Sequence, residues 1–247
     1  NATGSLSFSP AANSNGTATI TVTVNDGHVV SNLLSRTFTV TVNAVNDAPT
    51  LNGIAGLTIN EDAGAQAVSL AGISTGAANE SQLLTITATS SDLSVLPNPT
   101  VSYTSPNATG SLSFTPVANA NGTATITVTV NDGQAANNTA VQTFTVTVNA
   151  VNDAPTLNAL SPLNIPENAG LQTVNLAGIG SGAPNEAQGL TVSATSSNPG
   201  LVPNPTVTYS SPNATGTLSI APVANQNGSA TITVIVQDNG GVTNGGV

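Results

Sequence analysis

The chain has 247 residues, of which one is basic and eleven are acidic, so its formal net charge is −10. One basic residue cannot neutralise a nucleic-acid backbone, and the absence of cysteine excludes disulfides and thiolate metal sites. No apolar run approaches the ~20 residues of a membrane-spanning helix, whereas 38% hydrophobic residues in a Val-, Ile- and Thr-rich pattern favour a folded β protein.

An internal repeat of 106 residues dominates the sequence. The string NATG begins at Asn1, Asn107 and Asn213, and VNAVNDAPTLN begins at Val42 and Val148. This period is that of one complete β-sandwich domain. We therefore predict three units: the last strands of a repeat in residues 1–47, a complete repeat in 48–153, and a repeat without its final strand in 154–247. The simplest interpretation is a segment of a longer tandem array, and a processed filament subunit is the alternative.

Each repeat is predicted to contain seven strands separated by Gly, Pro, Asn and Ser clusters. The sixth strand has the clearest pattern, because four apolar residues between Ala124 and Val130 alternate with threonines. No segment has the pattern of a helix of ten or more residues. The sequence therefore predicts an all-β fold of tandem immunoglobulin-like sandwiches, arranged as beads on a string. In the central copy the strands are expected at residues 51–60, 65–72, 83–90, 100–104, 110–115, 123–131 and 142–149.

Nine of the eleven acidic residues recur in the 106-residue register. Counting strand reversals places nearly all carboxylates at the junctions between units. Converging carboxylates repel one another unless a cation neutralises them, and oxygen ligands without His or Cys suit calcium. We therefore predict calcium at the junctions; the alternative is that these residues occupy turns for backbone reasons. The predicted ligands are Asn46, Asp47, Glu80 and Asp132 at the first junction, and Glu61, Asn149, Asn152, Asp153, Glu186 and Asp238 at the second.

Several of these residues also carry a family resemblance. The string VNDAPTL at residues 45–51 and 151–157, the ITVTVNDG hairpins and IPENAG at 165–170 resemble cadherin-like and bacterial immunoglobulin-like tandem repeats of large surface adhesins. The resemblance implies interdomain calcium sites, but Asn replaces both Asp residues of the cadherin linker, which implies fewer ions or none. The implied ligands are Asn46, Asp47 and Asp132 at one junction, and Glu61, Asn152, Asp153 and Asp238 at the next.

The same features favour a structural function over catalysis. The single histidine, His28, lies in a loop that varies between copies, and the chain has no tryptophan on which a sugar could stack. We predict non-catalytic extension repeats of a large extracellular, cell-surface bacterial adhesin, whose partners are neighbouring repeats of the same protein. The alternative is the body of an extracellular filament or surface layer, with lateral self-association into fibres. Neither nucleic-acid binding nor membrane insertion is expected.

Overall fold

The structure is a computed structural model that describes residues 3–241. Residues 1–2 and 242–247, which belong to the first and third predicted units, lie outside the described part. The described residues form strands, turns and loops. Among them, no helix has the length and apolarity to cross a lipid bilayer.

The first unit contains one antiparallel hairpin. Strands β1 (Gly16–Asn25) and β2 (Leu33–Val42) pair along their whole length, with Ile20 opposite Phe38. Phe38 is 43% exposed and Val24 is 61% exposed. These apolar side chains are exposed because residues 3–47 form no second sheet to cover them.

The central repeat forms two sheets. Its seven strands are β3 (Leu57–Asn60), β4 (Gln66–Ala71), β5 (Thr85–Ser90), β6 (Thr100–Ser102), β7 (Thr109–Phe114), β8 (Gly122–Asn131) and β9 (Thr139–Asn149). One sheet has the order β3-β9-β8-β5 and the other the order β4-β7-β6. All pairs are antiparallel except β3 and β9, which run parallel.

A single core fills the space between these two sheets. The four apolar residues of the predicted sixth strand are fully buried, and Phe144, Val146 and Val148 from β9 lie beside them at 4% exposure or less. Leu70 and Leu112 join the same core from the other sheet. The predicted alternation along the sixth strand is therefore confirmed.

The predicted first strand, residues 51–60, is wrong as one continuous element. Thr50 pairs with Ser74 beside the β4 sheet, and Asn52 N donates to Ala71 O at 3.0 Å. The chain then crosses to the other sheet, where only Leu57–Asn60 pairs with β9. Gly56 lies at this crossing, where an added Cβ would lie 3.2 Å from Thr145 O.

The third repeat has the same two-sheet arrangement in its described part. Its strands are β10 (Gln172–Ala177), β11 (Thr191–Ser196), β12 (Thr206–Thr208), β13 (Thr215–Ile220) and β14 (Ile232–Gln237). They pair in the orders β10-β13-β12 and β11-β14 around a core that includes Leu176 and Leu218. Residues 163–166, which correspond to β3, form no strand, and the counterpart of β9 would begin at residue 245, outside the described residues.

The predicted all-β, immunoglobulin-like sandwich is confirmed. Every sheet takes its strands from one repeat, and the two core clusters do not share residues. The junctions between repeats are consequently formed by loops and linkers, and this is where the sequence places most of its carboxylates.

Candidate functional site at the repeat junctions

The first junction joins the linker to two acidic residues of the central repeat. Asp47 N donates to Glu80 Oε1 at 2.8 Å. Asn46 Nδ2 donates to Asp132 Oδ2 at 2.9 Å, and Gln82 Nε2 donates to Asn46 Oδ1 at 2.8 Å. Asp132 is only 3% exposed. The structure thus brings the four residues predicted for this junction together, and hydrogen bonds connect them directly.

The second junction repeats two of these contacts 106 residues later. Asp153 N donates to Glu186 Oε1 at 2.8 Å, as Asp47 does to Glu80. Gln188 Nε2 donates to Asn152 Oδ1 at 2.7 Å, as Gln82 does to Asn46. The two linkers are therefore attached to the following repeat by the same pair of interactions.

The exit end of the central repeat is organised around Glu61, which is 3% exposed. Its backbone N donates to Asn149 O at 2.9 Å, next to the end of β9. Its Oε1 accepts from Val151 N of the linker at 2.7 Å, and its Oε2 accepts from Asn185 Nδ2 of the third repeat at 2.7 Å. One carboxylate therefore contacts both the linker and the next repeat.

Asparagine contacts between repeats are the part of the site that sequence reasoning missed. Asn185 Nδ2 also lies 3.3 Å from Asn121 Oδ1 of the central repeat. At the first junction Asn79 Nδ2 lies 3.2 Å from Asn15 Oδ1 of the first unit. The sequence does carry a signal for these contacts. The two asparagines of each pair are 64 residues apart, and the second pair lies 106 residues after the first. A search based on charged residues does not find them, because the amides are neutral.

Asp238 holds its turn as its counterpart Asp132 does, since Asp132 Oδ1 accepts from Gln134 N at 2.9 Å. Asp238 Oδ1 accepts from Gly240 N at 2.8 Å, within its own turn. Gly240 approaches the side chain of Asn152. The turn that contains Asp238 is thus next to the linker, as predicted, and it approaches Asn152 through its glycine backbone.

Asp153 has an electrostatically unfavourable environment. Burial, together with the negative charges of Asp62 and Glu186, raises the pKa of its carboxyl above the usual range. Asp153 Oδ2 is buried and accepts no hydrogen bond. The second junction therefore contains one carboxylate whose ionisation the surroundings oppose.

Glycine allows the linker to pack closely against the loop that contains Glu186. Gly182 has a φ of +115°, and an added Cβ would lie 2.7 Å from both Ala154 O and the Cβ of Asp153. Gly76 has the same role beside Ala48 at the first junction, with a φ of +102°. A side chain at either position would push the linker away.

The fit of these residues to a calcium ion is partial. Within residues 3–241, no group of three or more His, Cys, Asp or Glu side chains is arranged to hold a metal. Both carboxylate oxygens of Glu61 already accept hydrogen bonds. Buried oxygens without a hydrogen bond do remain, on Asp153 and on Glu80. The calcium expectation stays a prediction, and Asp153 is the residue that best fits it.

The two acidic residues outside the 106-residue register have local roles. Asp62 has a φ of 59° and accepts from Asn119 N at 2.8 Å, so it supports a turn of its own repeat. Asp92 Oδ1 accepts from Ser94 Oγ at 2.6 Å and from Ser94 N at 2.9 Å. These bonds lower the pKa of Asp92, the hydroxyl contributing most.

Comparison with known proteins supports the fold. Residues 46–148 match the family model described as a bacterial Ig domain, which confirms the resemblance noted in the sequence. No curated protein matches the chain.

Three solved structures resemble the chain at low sequence identity. The titin domains z1z2, solved in complex with telethonin, are 13% identical, with coverage of 77% of this chain and 95% of that one and a TM-score of 0.34. Domains 4 and 5 of the S-layer protein SbsC are 17% identical, with coverage of 54% and 65% and a TM-score of 0.32. The first three ectodomain repeats of mouse protocadherin PcdhgC3 are 16% identical, with coverage of 83% and 65% and a TM-score of 0.36. The chain spans less than two thirds of the latter two, and likenesses at this level carry no argument about function.

Proposed function

Residues 46–148 match the bacterial Ig domain family, and from this similarity we propose that the chain consists of non-catalytic extension repeats of a large extracellular adhesin. The repeats hold a distal binding region away from the bacterial surface. The observation that carries the proposal is the recurrence of the linker contacts at both junctions. Asp47 and Asp153 attach to Glu80 and Glu186 at the same 2.8 Å distance.

A repeated junction of this kind suits an extension function. Each linker is held on the following repeat by backbone and side-chain hydrogen bonds, and such bonds restrict the flexing that a free linker would allow. A chain of such junctions keeps its ends apart, since each repeat adds its own length. Catalysis is not part of the proposal.

Small-angle X-ray scattering of the whole chain tests this proposal. A compact protein of this length would have a radius of gyration of roughly 18 Å. We expect a clearly larger value, together with a pair-distance function that has a long tail. A value close to that of a compact particle would contradict an extension function.

Calcium at the second junction is a further component of the proposal. The buried and unpartnered Asp153 Oδ2, beside the charges of Asp62 and Glu186, supports it. A bound cation would remove the repulsion between these carboxylates and stiffen the linker. Thermal unfolding with calcium and with chelator tests this component. A melting temperature that does not respond to calcium would contradict it.

A filament or surface-layer subunit is the second candidate function. The observation in its favour is Val141 of the central repeat, which is 53% exposed on a part of β9 that β3 does not cover. Such strands pair readily with other chains. Sedimentation over a range of concentrations, with electron microscopy, distinguishes the two functions. Regular fibres would favour the filament, and a monomer at high concentration would favour the extension module.

A further inference from the structure

We propose that Glu61 and Asn185 form a clasp that fixes the angle between the central and third repeats without a metal ion. The clasp is defined as these two residues with Val151 and Asn121. This inference rests on the proposed extension function, since it states what holds two successive repeats at a set angle. It assigns to Asn185 a positioning role that the charge pattern of the sequence does not indicate.

The geometry of Glu61 makes it suited to this role. Its two carboxylate oxygens accept from two different parts of the molecule: Oε1 from Val151 N in the linker and Oε2 from Asn185 Nδ2 in the third repeat, both at 2.7 Å. A linker contact alone would leave the next repeat free to rotate about the linker. The second contact removes that freedom, and charge-assisted bonds of this length are strongly directional.

Asn185 is itself held in position by the loop that carries it. The neighbouring Glu186 closes this loop, because Glu186 N donates to Ala183 O at 3.2 Å and Ser181 Oγ donates to Glu186 O at 3.3 Å. Glu186 also accepts from Asp153 N of the linker. Hydrogen bonds within this loop and to the linker therefore hold the Asn185 amide in a position where it faces the central repeat.

One contact of the clasp, the bond between two asparagine amides, recurs at the first junction. Asn79 contacts Asn15 as Asn185 contacts Asn121, although the two loops differ in sequence, GISTGAANES against GIGSGAPNEA. Together with the linker bonds that recur at both junctions, this recurring contact favours a similar angle between each repeat and the one before it. We infer that an array of these repeats is a regular rod with a constant rotation per repeat.

In the clasp, hydrogen bonds from neutral groups stabilise the Glu61 carboxylate. Glu61 is 3% exposed, and the groups that solvate its carboxylate are a backbone N–H and a neutral amide. Neutral donors satisfy a buried carboxylate by hydrogen bonding. Calcium at Asp153 would act on a different carboxylate, so the clasp and the calcium component can be tested separately.

Distance measurements between the two repeats test the clasp. The chain has no cysteine, so Ser69→Cys and Ser193→Cys, at exposed positions in β4 and β11, provide one spin label in each repeat. In the presence of chelator we expect a narrow distance distribution. With Asn185→Ala we expect it to become roughly twofold wider, since the linker would then be the main restraint. Asn175→Ala, at an exposed position of β10, is the matched control and should leave the width unchanged.

The two tyrosines show whether the repeats remain folded. Tyr103 packs on the central core and Tyr209 on the third, so their fluorescence reports each repeat separately when the other tyrosine is replaced by Phe. A wide distribution with both signals intact is a loss of positioning and not of folding. If the unmodified junction in chelator is already as wide as Asn185→Ala, the clasp is overturned.

An exchange of donor and acceptor gives a second test that keeps the side-chain shapes. Glu61→Gln removes one acceptor oxygen. The Asn185 amide can then pair with the Gln amide only by rotating, which removes its donation to Asn121 Oδ1, so we expect a wider distribution. Adding Asn185→Asp restores a donor–acceptor pair and should narrow it again. If the double variant stays as wide as Glu61→Gln, direct pairing between these two positions is wrong.

The outcome for the clasp is separable from that for the extension function. The same samples give scattering curves. A wide distance distribution in an extended particle would overturn the clasp and leave the extension function intact. A narrow distribution in a compact particle would contradict the extension function and leave the clasp in place.

Discussion

Glu61 and Asn185 are 124 residues apart in the chain, yet the Asn185 amide donates a 2.7 Å hydrogen bond to Glu61 Oε2. Carboxylates are rarely buried unless they are paired or hydrogen-bonded, and Glu61 is 3% exposed. Its hydrogen-bond donors come from the linker and from the next repeat. The central repeat therefore depends on the linker and the third repeat for the solvation of one of its charges.

Replacement of Glu61 by alanine should destabilise the central repeat. Val151 N and the Asn185 amide would both lose their acceptor. Since Val151 is only half-buried and Asn185 is exposed, water can replace the carboxylate, and the net loss is about 0.5–1.5 kcal/mol. We expect a loss of this size in the free energy of unfolding. Urea unfolding followed by Tyr103 fluorescence measures this free energy. Tyr209 is replaced by Phe so that only the central repeat is observed, and the Tyr209 hydroxyl that is removed makes no hydrogen bond.

Glu167 provides the matched control for Glu61. It stands at the same position of the third repeat but is exposed. Glu167→Ala should change the free energy of unfolding by no more than ~0.5 kcal/mol, which is typical of surface positions. Equal losses in the two variants would show that the buried hydrogen bonds of Glu61 are not the cause.

Gly182→Ala should destabilise the third repeat at the second junction. The residue has a φ of +115°, and its Cβ would lie 2.7 Å from Ala154 O. Backbone strain of this kind costs about 1–3 kcal/mol. Urea unfolding followed by Tyr209 fluorescence, with Tyr103 replaced by Phe, measures the loss.

Gly170→Ala is the control for the glycine substitution. Nothing lies within 4 Å of the added Cβ and its φ is not positive. This change should be neutral or should stabilise the repeat, because alanine restricts the unfolded chain. A similar loss at both glycines would contradict a specific packing constraint at residue 182.

The fold was largely predictable because burial follows the alternation of side chains along a strand. Ala124, Ile126, Val128 and Val130 occupy every second position, and all four are fully buried. The first strand was not predictable in the same way. Whether residues near Thr50 pair with one sheet or the other depends on which edge lies nearby, and a short apolar stretch with glycines does not encode that choice.

The positions of the site residues were predictable but their partners were not. Counting strand reversals placed Glu61 and Glu80 at opposite ends of the central repeat, as observed. The amides of Gln188 and Asn185 escaped notice because Asn and Gln are frequent throughout this chain, and a turn uses them for backbone reasons. Only the folded geometry separates an amide that contacts the next repeat from one that supports its own turn.

Ile126→Ala should lower the free energy of unfolding more than the equivalent change in the third repeat, Ile232→Ala. Ile126 is fully buried between the two sheets, and removal of such a side chain costs about 2–5 kcal/mol. Its counterpart Ile232 in β14 is only half-buried, so Ile232→Ala should cost less. Urea unfolding, followed by the tyrosine of each repeat, compares them. A larger loss at Ile232 would contradict the observed difference in burial.

Asp153→Asn should stabilise the second junction at neutral pH. The folded protein raises the pKa of Asp153, so the folded state favours the protonated carboxyl. The protonated carboxyl of Asp153 contributes stability to the folded state. This contribution is fully present below the pKa of Asp in the unfolded chain, about 3.9, and is lost as the pH rises through the raised pKa of the folded state. Asparagine keeps the shape without the charge. In chelator, the melting temperature of the variant should exceed that of the wild type at pH 7, and the difference should shrink below about pH 4.

Asp92→Asn is the control with the opposite sign. Hydrogen bonds from Ser94 lower the pKa of Asp92, so its contribution to stability is present above the unfolded pKa and is lost as the pH falls through the folded value. Asp92→Asn should therefore not raise the melting temperature at pH 7. A gain in both variants would point to a general effect of reduced negative charge. A gain in Asp153→Asn alone would identify the repulsion of Asp153 by Asp62 and Glu186 as the cause, and calcium should then raise the melting temperature of the wild type more than that of the variant.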